Sequence, residues 1–468
     1  MSKGIAEQKN GEPSNGRSEH QSAERIGHGG EHTVRTQTID LDYMTKLYGH
    51  ASLHVKVRGS KVENVEMRII EGARFFEAIV KDRKAQEAPT LTSRICGTCS
   101  PSHNLTSILA VENAYGLVPS EETRKLRELL LLGSVLQNHA LHLFFLALPD
   151  YLGFENAISM ASERKEEVKL GLSLKHLGNH IVKVVGGREV HPLTTEIGGF
   201  SKVPKKEEFN KLLKQLHASE NSAISAVKLF SGLNYPSFKR RTQYVALRSS
   251  EKLYSYLGEK IISDSGTEIL PNEYDKHLKE CAVPRSSAKE VTIGCKPFAV
   301  GTLSRMNLNR NFLCGSAKGA LDSCGISFPN YSPFSYNVAR AIEMLHCICS
   351  SEEIIRSFDL ERAEVIKPNA SLDAPKEETR GIAVTEAPRG LLFHDYKIGK
   401  DGKIMSANII TPTAQNIRNI EEDVKAFLPH LLPLGKEKII SGLEELVRAY
   451  DPCLSCSSHF LKIKMDIR

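Results

Sequence analysis

The chain has 468 residues, several times the length of a typical domain, which leaves ample material for a large core or for several smaller ones. Its 40% hydrophobic and 25% charged residues exclude a wholly disordered, collagen-like or coiled-coil chain. The formal charge of +6 is spread thinly, with no dense Lys/Arg block, so nothing argues for nucleic acid, and the basic end from Lys462 to Arg468 reads as a solvated terminus.

Ten cysteines fall far below the density of a disulfide scaffold, and the N-terminus carries no signal-like apolar stretch, so the sequence reads as a protein of the reducing cytoplasm. No apolar run approaches the ~20 residues of a membrane helix. The best candidate, Leu141 to Leu148, is short and interrupted by His142.

In chain order, residues 1–35 are polar with almost nothing apolar, and read as a flexible tail in which His20, His28 and His32 are solvated. Ala51 to Val57 and Val62 to Ile70 alternate apolar and polar residues around Arg58-Gly59-Ser60, the pattern of a β-hairpin. The period then lengthens: residues 121–148, 158–185, 205–231, 334–357 and 436–450 space apolar residues by three and four, which predicts long amphipathic helices. Ser120 is placed to cap the first of them. Residues 232–333 show no clear period, and Leu391 to Ile410 around Lys400-Asp401-Gly402-Lys403 again reads as a hairpin. The expected fold is mainly α with smaller β portions (α+β): a central bundle of long helices, a peripheral N-terminal β-hairpin and a C-terminal β segment.

Two Cys-x-x-Cys pairs stand near opposite ends, in Arg94-Ile95-Cys96-Gly97-Thr98-Cys99 and Asp451-Pro452-Cys453-Leu454-Ser455-Cys456. A two-residue spacer lets both thiolates of a pair converge on one soft metal, and four such ligands complete a tetrahedral sulfur set. Spacing alone leaves open a structural zinc site or two unlinked thiol pairs, although the long separation is unlike a local zinc ribbon. Each pair is followed by a histidine, His103 and His459, and the second is preceded by Asp451. A reactive metal uses such donors and carboxylates to tune its sulfurs and move protons, whereas a closed structural zinc has no need of them. The other cysteines, at 281, 295, 314, 324, 347 and 349, lack this setting.

On these motifs the sequence resembles the large, catalytic subunit of nickel-iron hydrogenases. Further segments add to the likeness in order: Gly186-Gly187-Arg188 with His191-Pro192 and Gly198-Gly199, then Glu386-Ala387-Pro388-Arg389-Gly390, then Thr411-Pro412-Thr413-Ala414-Gln415-Asn416. The resemblance covers the chain from about residue 36 onward and implies a single large-subunit domain over 36–459. It implies that Cys96, Cys99, Cys453 and Cys456 hold nickel, with Cys99 and Cys456 bridging to an iron that carries CN and CO. It places Arg389 over the open face between the metals, Pro388 and Thr413 around the iron's diatomic ligands, and Asp451 and Asp150 as acidic braces of Arg389. Asp150 in Leu148-Pro149-Asp150 also reads as a plain helix-end turn. Glu77 matches a carboxylate that, with His459, helps hold a magnesium or second iron; a surface turn is its competing reading.

The implied activity is reversible heterolytic H2 cleavage, in which a terminal thiolate such as Cys453, or a base such as His103 nearby, takes the proton. The chain has no dense iron-sulfur cysteine run, so electrons are expected to leave through an iron-sulfur small subunit and further electron-transfer subunits. One departure is Lys46-Leu47-Tyr48-Gly49-His50, where many relatives carry Arg-x-Glu-Gly-His: a tyrosine is a poor proton relay near neutrality. Residues 460–468 correspond to an extension that a maturation endopeptidase removes in many relatives. The alternatives are a non-catalytic scaffold homologue in an electron-transfer complex, like the related quinone-reducing respiratory subunit, and a structural zinc protein.

Overall fold

The computed structural model describes residues 36–72, 74–363, 365–367 and 372–458. The expected polar tail over 1–35, His459 and the extension 460–468 lie outside the described residues.

The described residues begin with a three-stranded antiparallel sheet of β1 (Thr36–Leu41), β2 (Ala51–Arg58) and β3 (Lys61–Ile69), in that spatial order. The alternation foreseen in β2 turns Leu53, Val55 and Val57 to one face, where they are buried. This sheet is larger and less peripheral than a hairpin. Its inner face shares an apolar cluster with the last long helices of the chain, so it is a wall of the core.

The helical bundle follows: α1 (Ser100–Tyr115), α2 (Glu121–Leu141), α3 (Lys165–Gly186) and α4 (Lys206–Ser231). Ser120 caps α2 as expected, its hydroxyl accepting from the Thr123 N–H at 3.3 Å. The helix expected over 121–148 continues beyond α2 as a π-helical turn over His142–Ala147. Pro149, four residues after Phe145, has no N–H for the i→i−4 ladder, so the hydrogen-bond pattern changes there. The stretch Glu121–Leu152 is long and apolar enough to cross a membrane, but 83% of its apolar window is buried within the protein. The helix expected over 158–185 is two pieces, a short one at Ala157–Glu163 and α3. Helices α2 and α3 cross at Gly133 and Gly178, where a Cβ on Gly178 would lie 2.5 Å from the Gln137 backbone nitrogen. Backbone therefore presses on backbone next to Gln137 and Asn138, which reach into the site described below.

The stretch without clear period forms small sheets. They include the antiparallel pairs β4 (Gln243–Arg248) with β5 (Lys260–Ser263), and β6 (Leu278–Ala282) with β7 (Lys289–Ile293). Helix α5 (Thr302–Asn309) follows, and α6 (Ser335–Ser357) completes the bundle. The C-terminal β segment is a meander rather than one hairpin: β8 (Thr379–Ala387), β9 (Gly390–Ile398) and β10 (Ile404–Ile410) pair antiparallel in order. Ala387 pairs with Gly390, so Pro388 and Arg389 are the two residues of a tight turn. Helices α7 (Pro412–Leu431) and α8 (Lys436–Ala449) then lead to the four-residue α9 (Leu454–Ser457). A small apolar cluster of Ile95, Cys96, Cys99, Ala387, Leu392, Ile409, Cys453 and Cys456 marks where the two ends meet.

Candidate metal centre

Cys96 and Cys99 lie in the loop that enters α1. That loop is fixed from α2: the Thr98 carbonyl accepts from Gln137 Nε2 at 2.7 Å and from Asn138 Nδ2 at 2.6 Å. The His191 segment braces it from the other side, through its N–H to Ser100 Oγ at 2.9 Å and its ring to the Ser93 carbonyl at 3.0 Å. Cys453 and Cys456 flank the start of α9, which docks on the N-terminal segment through the Leu454 N–H to the Tyr48 carbonyl at 2.9 Å. Arg74 ties the two cysteine segments together, donating to the Ile95 carbonyl at 2.6 Å and to the Ser455 carbonyl.

Residues 357 apart in sequence thus bring their sulfurs into contact. Cys96 Sγ lies 3.7 Å from Cys453 Sγ, and Cys99 Sγ 4.0 Å from Cys456 Sγ. The ligand atoms of Cys96, Cys453 and Cys456 all fall within 4.8 Å of one another, and so do those of Cys99, His103 and Cys456. All four thiols are buried. Hydrogen bonding, first with Cys453, pulls Cys96 well below the ordinary thiol range and pushes Cys99 and Cys456 well above it. Four crowded thiols cannot all ionise away from water unless a cation stands among them.

Beside the sulfurs lies a small, narrow pocket lined by Pro388, Arg389 and Thr413 together with Cys99, Cys453 and Cys456. Arg389 is buried, its Nε donating to the Asp451 carbonyl at 2.7 Å, one terminal nitrogen to Asp451 Oδ1 at 3.0 Å and the other to Asn138 Oδ1 at 3.2 Å. Asp451 takes a left-handed backbone, φ 56°, that lets its carbonyl and its carboxylate face the same guanidinium. Burial pushes the Asp451 carboxyl up while Arg389 pulls it down, and Oδ2 has no hydrogen-bond partner among the described residues. The guanidinium stands 4.5 Å over the Tyr48 ring. Thr413 Oγ1 accepts from the Cys453 N–H at 3.0 Å.

His103 Nε2 is 3.0 Å from Cys456 Sγ, and its Nδ1 is 3.2 Å from His394 Nε2, which continues through Nδ1 to the Tyr396 hydroxyl at 2.6 Å. Glu77 Oε1 accepts from Lys289 Nζ and from the Ile409 N–H, each at 2.9 Å. Its expected companion His459 lies outside the described residues. Asp150 does not brace Arg389. Its carboxylate takes Arg448 at 2.5 Å and Lys46, so it anchors the last turn of α8 and the segment before Tyr48. The bracing role foreseen for it belongs to Asn138, which the sequence reading missed. The polar triplet Gln137-Asn138-His139 inside a leucine-rich helix was the signal, because buried polar groups demand partners. Arg74 and His394 were missed as well, and neither stands out by spacing.

Four soft sulfur donors with space beside them define a protein built around a thiolate-held transition metal, since oxygen-seeking cations such as magnesium or calcium do not take such a set. Comparison narrows that class. The family model for nickel-dependent hydrogenase matches residues 74–180 and 295–459. The chain belongs to this family, and is an oxidoreductase acting on H2. Sulfhydrogenase 1 subunit alpha of Pyrococcus furiosus is 34% identical over 91% of this chain and 98% of its own length. Sulfhydrogenase 2 subunit alpha of the same organism is also 34% identical, over 91% of this chain and 100% of its own length. Among solved structures, an NAD+-reducing [NiFe]-hydrogenase in the H2-reduced state superposes with a TM-score of 0.79 at 27% identity, covering 90% of this chain and 99% of that one. The scaffold reading is not favoured, because all four cysteines are present and converge.

Proposed function

We propose that this chain is the catalytic subunit of a cytoplasmic [NiFe] hydrogenase that cleaves H2 heterolytically and reversibly, and passes the electrons to an iron-sulfur partner subunit. The convergence of four buried thiols from distant parts of the chain on one another carries this reading. The donor set fits a nickel-iron pair: Cys96, Cys99, Cys453 and Cys456 would hold it, and Pro388 and Thr413 would line the space for the iron's CN and CO. When bound, the pair supplies Lewis acidity that makes H2 acidic, and takes up its electrons.

The residues do the rest. Desolvation works against the Arg389 charge, but Asp451 together with the neighbouring cysteines outweighs it and keeps the guanidinium charged, so a fixed cation faces the pocket where H2 polarises. The Cys453 sulfur takes the proton. His103 contacts Cys456 Sγ and would orient that sulfur toward the metals. Burial pushes the Tyr48 hydroxyl far above its usual range, so Tyr48 holds its proton and does not relay one. Glu77 and His459 would share the second cation, magnesium or iron, with Lys289 already balancing part of the Glu77 charge.

Two named relatives are alpha subunits, and the solved neighbour reduces NAD+, which supports a soluble nicotinamide-type acceptor reached through partner subunits. Among the described residues no other group of three or more metal-ligating side chains supplies an electron path within this chain. An endopeptidase that removes residues 460–468 after metal loading completes the proposal. Metal analysis with infrared spectroscopy of the purified complex tests it: near-equimolar nickel with CN and CO bands is expected, zinc alone would establish the structural-zinc reading, and absence of metal the scaffold reading.

A further inference from the structure

The turn that presents Pro388 and Arg389 to the pocket is held from behind by one side chain, Arg305 of α5. Arg305 is fully buried. One terminal nitrogen donates to Glu386 Oε2 at 2.8 Å and to the Ala387 carbonyl at 3.1 Å. The other donates to Glu343 Oε2 at 2.8 Å, the Pro388 carbonyl at 3.1 Å and Thr302 Oγ1 at 3.2 Å, and Nε donates to Glu343 Oε1 at 2.7 Å. Two successive carbonyls of the turn, and the carboxylate just before it, therefore converge on one planar fork.

The fork is itself immobilised. Glu343 on α6 accepts from His139 Nε2 at 2.7 Å and from the Tyr254 hydroxyl, and Glu386 accepts from the Leu247 N–H at 2.8 Å. The backbones are also in contact: a Cβ on Gly301 would lie 2.7 Å from the Arg389 carbonyl oxygen, and one on Gly390 would lie 2.7 Å from the Gly301 nitrogen. The turn and the start of α5 cannot shift independently.

We propose that Arg305 is a positioning residue for the hydrogenase reaction: through the Ala387 and Pro388 carbonyls it sets the place of the Arg389 guanidinium and of the pocket wall around the iron's diatomic ligands. This rests on the hydrogenase reading above. A buried ion network is an inefficient way to gain stability alone, since well-packed apolar side chains often do as well. Directional bonds to the carbonyls of the turn give what apolar packing does not, a fixed position for the next residue. Lysine would keep the charge but, as a point donor, cannot serve both carboxylates and both carbonyls.

The test uses the intact complex. The wild type is measured first for nickel and for CN and CO infrared bands, and failure there would count against the hydrogenase reading, not against Arg305. Arg305→Lys, if soluble and nickel-loaded, is expected to shift the CN bands and lower kcat about 10–100-fold, the scale of an ångström-level misplacement. Arg127→Lys is the matched control: Arg127 is an equally buried arginine paired with Glu112, and its other bond goes to the Glu196 carbonyl. Its bands are expected to stay in place. Unchanged bands and kcat in Arg305→Lys, or equal band shifts in both variants, would overturn the assignment. Should Arg305→Lys fail to fold or load, Glu343→Gln decides. Glu343 holds Arg305 without touching the turn but also meets His139, beside Asn138, so Glu343→Gln is read against His139→Gln: a band shift in Glu343→Gln alone supports transmission through Arg305, whereas equal shifts in both, or unchanged bands and turnover in Glu343→Gln, overturn the proposal.

Discussion

Arg389 meets its neighbours as a fork. Its Nε and one terminal nitrogen grip Asp451 at both the carbonyl and the carboxylate, and the remaining arm reaches Asn138. A lysine keeps the charge and loses that geometry, so Arg389→Lys is expected to retain nickel and iron while H2 turnover falls about 100–1000-fold, the scale of losing a preorganised donor at a reacting centre. Metal analysis beside an H2-oxidation assay checks it. Tyr48 supports the same guanidinium through its ring rather than its hydroxyl, which has no partner among the described residues. Tyr48→Phe is therefore expected to match the wild type. Tyr48→Leu removes the ring face, worth about 0.5–2 kcal/mol, and should slow turnover accordingly; equal rates for the Leu and Tyr enzymes would remove the ring from the mechanism. The four cysteines were legible because a Cys-x-x-Cys spacing is local chemistry. The partners of Arg389 were not: Asp451 is next to a motif and was found, Asn138 is 251 residues away and Asp150 points elsewhere.

At the scale of elements, α2 carries much of the site's support and one group that titrates near neutrality. Burial pushes Glu128 from 4.5 up to about 7, although the Tyr256 and Ser255 donors pull the other way. The folded chain thus holds a proton that the unfolded chain releases above pH 4.5, so this contribution to stability is present below that value and is lost as pH rises through about 7. Glu128→Gln keeps the neutral form at every pH. Its thermal midpoint should depend less on pH between 5 and 8 and should exceed the wild type's at pH 8. The gain is about 1–3 kcal/mol after discounting for partial exposure; parallel pH profiles for the two proteins would exclude Glu128 as the source. Helices such as α3 and α4 announced themselves because one face is apolar and the other wet. Helix α1 did not, since nearly all of Ser100 to Ala114 is buried and Ser100, His103, Thr106 and Ser107 are spent on internal bonds rather than on solvent. Strand β8 was hidden for a related reason: buried from Gly381 to Ala387, it lacks the alternation that marks a half-exposed strand.

For the whole molecule, the centre joins segments that otherwise belong to different neighbourhoods. The loop of Cys96 and Cys99 is held by α2 and the His191 segment, whereas α9 rests on Tyr48, Arg74 and α7. Without a cation the crowded sulfurs resist ionising together, and the seam depends on Arg74, on the chain of Arg389, Asp451 and Asn138, and on sulfur packing. Metal that binds only the closed arrangement stabilises it by mass action, about 2.7 kcal/mol when its free concentration is a hundred times its dissociation constant, which makes local opening about a hundredfold rarer. Loading nickel and iron is thus expected to raise amide-exchange protection at residues 96–99 and 453–458 together, while the middle of α2 and α3, buried in the bundle core, changes little. Hydrogen exchange followed by mass spectrometry on metal-free and loaded protein makes the comparison. Protection gained at one cysteine segment without the other would mean that the metal is held by a single pair, and that the seam between the two ends is closed by packing alone.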